Sequence, residues 1–186
     1  MSTDDESESP STRRLVPIAR ASRLFLKDAP CGHLLLLNEI DDNVLALRIA
    51  PPQQQSPDAV WGIVLRVRDE GSGYAPRAYD LTQTEFCLDL GPVEFAFNAS
   101  CVSDAVASAS TYLRPGMLAL SIGRLLIFSR IGRYVGDNSW WDVETGERVV
   151  EKGKTLIAQW SVGIRDTENR FVSQLAYPTD FPAHQV

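Results

Sequence analysis

The stretch Thr84-Glu85-Phe86-Cys87-Leu88-Asp89-Leu90-Gly91-Pro92-Val93-Glu94-Phe95-Ala96-Phe97-Asn98 decides the fold class. In its first half Phe86, Leu88 and Leu90 share one side of an extended chain, while Glu85, Cys87 and Asp89 share the other. In its second half Val93, Phe95 and Phe97 alternate in the same way with Glu94, Ala96 and Asn98. A period of two is what a strand with one apolar and one polar face produces, because successive side chains leave a pleated backbone on opposite sides. Gly91-Pro92 between the two runs carries turn chemistry, so the pair reads as a β-hairpin.

The rhythm recurs along the chain. Leu156, Ala158, Trp160, Val162 and Ile164 alternate with polar neighbours, Ile157 excepted, and read as one strand. After the polar Asp166-Thr167-Glu168-Asn169-Arg170, the run Phe171 to Tyr177 reads as its hairpin partner. Trp61, Ile63, Leu65 and Val67 form another one-sided strand, with Arg66 and Arg68 on its other face, that ends in Asp69-Glu70-Gly71-Ser72-Gly73. Trp140 to Glu144 and Arg148 to Glu151 flank Thr145-Gly146 as strand, turn and strand. Leu34 to Leu37 and Val44 to Ile49 are further strand candidates on either side of the polar Asn38 to Asn43.

One segment argues for a short helix, near residues 103-113. Val102, Val106, Ala109 and Leu113 recur at helical spacing, Ser103 and Asp104 suit a first turn, and Pro115-Gly116 would end it. Its serines and threonine have modest helix propensity, so an edge strand competes for the same residues. The fold class expected is mainly β, an antiparallel sandwich or partly closed barrel.

Composition bounds the rest. The 186 residues, 44% of them apolar, suffice for one substantial core. Residues 1-13 begin Met1-Ser2-Thr3-Asp4-Asp5-Glu6-Ser7 and offer almost nothing to bury, so they read as a disordered acidic tail, with a single β-rich domain over 14-186. The tail lacks the basic and apolar regions of a secretory signal, and no stretch is long and apolar enough to span a bilayer as a helix. Three scattered cysteines, Cys31, Cys87 and Cys101, suit reduced thiols, and a cytoplasmic location is expected. The net charge of -6 disfavours a polyphosphate partner, so no nucleic acid and no membrane are expected to bind.

Signatures of chemistry are sparse. Cys31-Gly32-His33 sets a thiol and an imidazole two residues apart, but His184 is the only other histidine and no G-x-S-x-G elbow surrounds a serine. Zinc ligands normally come in close pairs, which Cys87 and Cys101 are too far apart to form. The carboxylates of Glu39, Asp41, Asp42, Asp69 and Glu70 fall in turns, where such groups usually serve local backbone donors. No phosphate-binding loop is present: Gly71-Ser72-Gly73 lacks the following Lys. Trp141-Asp142 with Thr145-Gly146 is similar to the end of a WD-type propeller blade over about ten residues, but no second copy of the motif exists, which leaves an ordinary hairpin. No catalytic residue, cofactor or metal is therefore assigned.

The densest concentration of binding-type residues is Arg124, Arg130, Arg133, Tyr134 and Trp140. If Trp141 and Val143 face the core, period two turns Trp140 to the other face, where it would be partly exposed unless another layer covers it. The function expected is a non-enzymatic cytosolic binding module with a protein partner, such as an inhibitor or immunity-type protein for a basic target. Two alternatives stand beside it: a β-barrel carrier of a small apolar ligand, lined by Phe86, Phe95, Phe97 and Trp160, and a hydrolase of unrecognised type using Cys31 and His33.

Overall fold

The computed structural model describes residues 21–39, 42–52, 55–66, 76–98, 100, 102–106, 113–131, 138–150, 155–157 and 159–177. The expected tail, Arg133, Tyr134, Cys101 and His184 lie outside them. In chain order the strands are β1 (Ser22–Phe25), β2 (His33–Glu39), β3 (Asp42–Ile49), β4 (Trp61–Arg66), β5 (Arg77–Asp80), β6 (Phe86–Pro92), β7 (Glu94–Ala96) and β8 (Val102–Val106). They continue with β9 (Leu118–Ser121), β10 (Arg124–Ile131), β11 (Asn138–Asp142), β12 (Arg148–Val149), β13 (Thr155–Ile157), β14 (Trp160–Arg165) and β15 (Phe171–Tyr177). One 3-10 turn, Leu26–Asp28, follows β1.

The chain is mainly β, as its alternation predicts. Among the described residues one large sheet runs β1-β6-β2-β3-β4-β5-β10-β9-β13-β8, with β11 and β12 added beside β10, and a small sheet runs β15-β14-β7. Pairing is antiparallel except where Arg77 and Ala78 of β5 meet Arg130 and Ile131 of β10 side by side in parallel. The path of the large sheet starts at β1 and ends at β8, so the strands do not close into a barrel.

The main core lies between the sheets. Leu34, Leu47, Ile49, Ile63, Ile127 and Trp141 of the large sheet meet Trp160, Val162, Ile164 and Leu175 of the small one. Residues of opposite parity form two further clusters on the other face. Leu35, Leu37, Val44, Ala46, Val64 and Cys87 are capped by Leu26 of the 3-10 turn, and Ala119, Leu126, Phe128, Trp140 and Val149 make up the third cluster. The large sheet is thus apolar on both faces, where a one-sided pattern predicts a wet side.

Three expectations are corrected. Phe86 to Leu90 and Val93 to Phe97 are not a hairpin: β6 pairs with β1 and β2, whereas β7 pairs with β14. Gly91, at φ 96°, and Pro92 instead carry the chain from one sheet to the other. The helix expected near 103-113 is a strand over Val102–Val106, paired with β13 at Val102↔Ile157, and residues 107–112 lie outside the described set. The single strand expected around Leu156 to Ile164 is two, with β13 in the large sheet and β14 in the small one. The hairpin of β14 and β15 is as expected, spanning Asp166 to Arg170. The pairing of β11 with β12 around Thr145-Gly146 is likewise as expected, with Gly146 at φ 71°.

Candidate functional site

Where β6 crosses to β7, the two sheets and the β11–β12 turn leave a cleft of about 560 Å³. Its walls come from Cys31, Gly32 and His33 before and at the start of β2, Pro92, Val93 and Phe95 around the crossover, Gly123 to Leu125 at the start of β10, and Asp142 to Glu144.

Backbone geometry sets the first wall. Gly32 has φ 78°, a conformation that glycine adopts at little cost. A Cβ at Gly32 would overlap the carbonyl oxygen of Glu144, so only glycine lets the two segments approach. Gly32 N donates to Arg48 O at 2.9 Å, and Val93 N donates to Gly32 O at 2.9 Å, which ties the segment to β3 on one side and to the crossover on the other. Gly146 completes this packing: a Cβ there would stand 3.0 Å from the Cβ of Cys31 and 2.9 Å from the Cα of Ile49.

At the start of β2 the pairing with β6 slips, with His33 opposite Pro92 but Leu35 opposite Asp89. An irregularity of this kind re-aims a side chain. His33 Nδ1 lies 3.0 Å from each carboxylate oxygen of Asp89. Asp89 Oδ1 also accepts from Gly91 N at 2.8 Å, so this carboxylate fixes both the crossover turn and the imidazole. With Nδ1 donating to a carboxylate, the neutral ring carries its acceptor at Nε2. His33 lines the cleft with its side chain 22% exposed, and its partner Asp89, 10% exposed, is nearly buried and outside the lining.

Asp142 plays the matching part in the facing wall. Its Oδ1 accepts from Glu144 N at 2.9 Å and Thr145 N at 3.0 Å, locking the β11–β12 turn. Its Oδ2 faces Arg124 Nε at 3.7 Å, an ion-pair distance too long for a strong hydrogen bond. Arg124 is half exposed, and Glu144 stands exposed at the rim.

Beneath the first wall lies Arg48, 7% exposed. Its Nη1 donates to Trp61 O at 2.9 Å and to Ile49 O, while Nε has no hydrogen-bond partner among the described residues. Burial pushes the Arg48 guanidinium below its ordinary range, and the nearby thiols of Cys31 and Cys87 oppose that shift. Burial, with Asp89 adding to it, pushes the Cys87 thiol up.

Of the binding residues expected from sequence, Arg124, Arg130 and Trp140 are among the described residues, and Arg133 and Tyr134 are not. Arg124 is in the cleft. Arg130 lies at the far end of β10, six residues or roughly 20 Å along an extended strand. Trp140 does face away from Trp141, but it is 7% exposed: it packs among Ala119, Leu126, Phe128 and Val149 on the same face of the sheet, so the expected partial exposure is corrected. Sequence reasoning places Asp89 on the polar face of a strand and Asp142 in the Trp141-Asp142 strand-and-turn motif, and assigns neither to a site. No protein-family model, curated protein or solved structure matches the chain.

Proposed function

We propose that the chain is a cytoplasmic, non-enzymatic binding module whose recognition site is the cleft, and that it takes a protruding segment of a basic protein partner. One observation carries this reading: the fold brings chemically distinct groups from four separate stretches of chain into the walls of one open cleft. Pro92, Val93 and Phe95 offer an apolar side to the inserted segment. Glu144 at the rim, with the net charge of -6 behind it, favours a partner residue bearing positive charge. The cleft's volume also falls in the range of small-ligand sites, which keeps a carrier as the second reading. The open sheet argues against a carrier that encloses its ligand in a barrel.

The test is affinity capture from the native host with the parent protein and two variants of equal charge change. Glu144→Lys alters the cleft rim, and Glu85→Lys alters an exposed site outside the cleft lining. Loss of partner recovery with Glu144→Lys alone supports the reading. Equal recovery with parent and Glu144→Lys, or equal loss with both variants, contradicts it.

A further inference from the structure

The free edge of the large sheet at β1 carries a patch that the cleft does not use. Among the described residues β1 pairs only with β6. Leu26 N donates to Glu85 O at 3.0 Å, and the alternation of an antiparallel ladder then turns the backbone groups of Arg23 and Phe25 away from β6, toward the open edge. On the sheet face at that edge Phe25 packs on Phe86 with ring centroids 4.7 Å apart. The Arg23 guanidinium lies 4.6 Å from the centre of the Phe86 ring, and Lys27 Nζ lies 5.7 Å from that of Phe25. Phe25 is 47% exposed, and no carboxylate of the described residues stands within ion-pair distance of Arg23 or Lys27. Two cations without a counter-ion among the described residues thus bracket an exposed aromatic pair on an open strand edge, a kind of edge that proteins usually cover.

We propose that the acidic N-terminal segment of the same chain, Asp4-Asp5-Glu6-Ser7-Glu8, docks on this edge and covers it. The carboxylates of Asp4, Asp5, Glu6 and Glu8 supply the charge that Arg23 and Lys27 lack. The tether has a suitable length. From Glu8 to Ser22, where β1 starts, the chain advances 14 residues, and a flexible chain of that length spans roughly 20 Å on average. Ser22 and Lys27 are roughly 17 Å apart along an extended backbone. The tether therefore reaches both cations without being stretched. It presents the carboxylates at about millimolar effective concentration, so a weak contact suffices.

Other charges compete. Asp28 and Glu85 are exposed close to the patch and repel the segment, and Arg13, Arg14 and Arg20 lie on the tether and draw on the same carboxylates. What favours the β1 edge is that the two rings hold its cations in place, so that accepting a carboxylate requires little further ordering. An edge occupied in this way is closed to strand addition by a second copy of the chain. None of Arg23, Phe25, Lys27 and Phe86 lines the cleft, so the proposal stands whether or not the cleft receives a protein partner.

The experiment treats the full chain, dilute and at low salt, with a water-soluble carbodiimide that joins a carboxylate to a nearby amine. The side-chain amines of the sequence are those of Lys27, Lys152 and Lys154, and the linked peptides are quantified by mass spectrometry. Lys27 is expected to link to Asp4, Asp5, Glu6 or Glu8 within monomers at least about fivefold more than Lys152 or Lys154 does, an excess that disappears at 1 M salt, where the Debye length falls to about 3 Å. Arg23→Glu, at an exposed position, is expected to lower the Lys27 yield about threefold or more, whereas Arg114→Glu, at an exposed position outside the patch, leaves it unchanged. Equal linking at the three lysines, linking of Lys27 mainly between molecules, or a Lys27 yield that Arg23→Glu does not lower overturns the proposal.

Discussion

The indole of Trp140 packs against the ring of Phe128 with centroids 5.0 Å apart and planes inclined at 49°. The two residues are direct partners across β10 and β11, and Val149 of β12 lies on the far side of Trp140. Trp140 is therefore an anchor of the outer core. Trp140→Ala is expected to cost roughly 3–5 kcal/mol, the range for removing a large buried aromatic. Denaturant unfolding measures this, and a loss under about 1 kcal/mol would show that this cluster is loosely packed.

Gly32 is expected to tolerate no side chain. Gly32→Ala meets the Glu144 carbonyl and forces alanine into the left-handed region, which alone costs roughly 1–2 kcal/mol. The variant should melt well below the parent and open the cleft wall. An unchanged melting temperature would mean that the Glu144 turn moves aside freely.

Ile122 runs the other way. It sits at φ 46° in the two-residue turn joining Ser121 and Arg124, followed by Gly123 at φ 76°, and is 87% exposed. A β-branched residue is poorly suited to this mirror-image turn, where asparagine is favoured, and its exposed side chain contributes little burial. Ile122→Asn should therefore stabilise the protein by about 1 kcal/mol, raising the melting temperature by roughly 2–4 °C in a domain of this size. A fall in melting temperature would show that the Ile122 side chain makes a stabilising contact.

Asp166 closes the β14–β15 turn, accepting from Arg170 N at 2.8 Å, Glu168 N at 2.9 Å and Arg170 Nε at 2.9 Å. These donors, the Arg170 amide first among them, hold its carboxyl below the ordinary range. A carboxyl that is more acidic when folded adds stability that is present above its unfolded value of 3.8 and lost as pH falls through the folded value. Asp166→Asn should thus lower the melting temperature at neutral pH, and the gap from the parent should narrow on acidification below about pH 4. A gap independent of pH would show that the carboxylate charge contributes nothing.

Many of the strands were legible in the sequence, but of their pairings only the two local hairpins, β11 with β12 and β14 with β15, were. Leu88 and Leu90 do oppose Cys87 and Asp89, but the polar face is buried because Leu26 and its neighbours cover it. Gly91-Pro92 is as compatible with a crossover as with a turn, and the choice depends on β14, some 65 residues away in sequence. Val102 and Val106, four residues apart, share a face in both a helix and a strand, so their spacing could not decide between the two. The same limit hid the site. His33 and Asp89 are 56 residues apart and meet only because β2 pairs with β6 and the register slips there. Arg124 was legible as a contact residue, but its ion-pair partner Asp142 reads as part of a strand-and-turn motif.

That the cleft receives the partner is tested most directly by hydrogen exchange on the complex with whatever protein is captured. Protection should concentrate in residues 31–34, 92–95 and 142–145. Protection confined to the sheet edges at β1, β8 or β15, with the cleft segments exchanging as in the free chain, would contradict it.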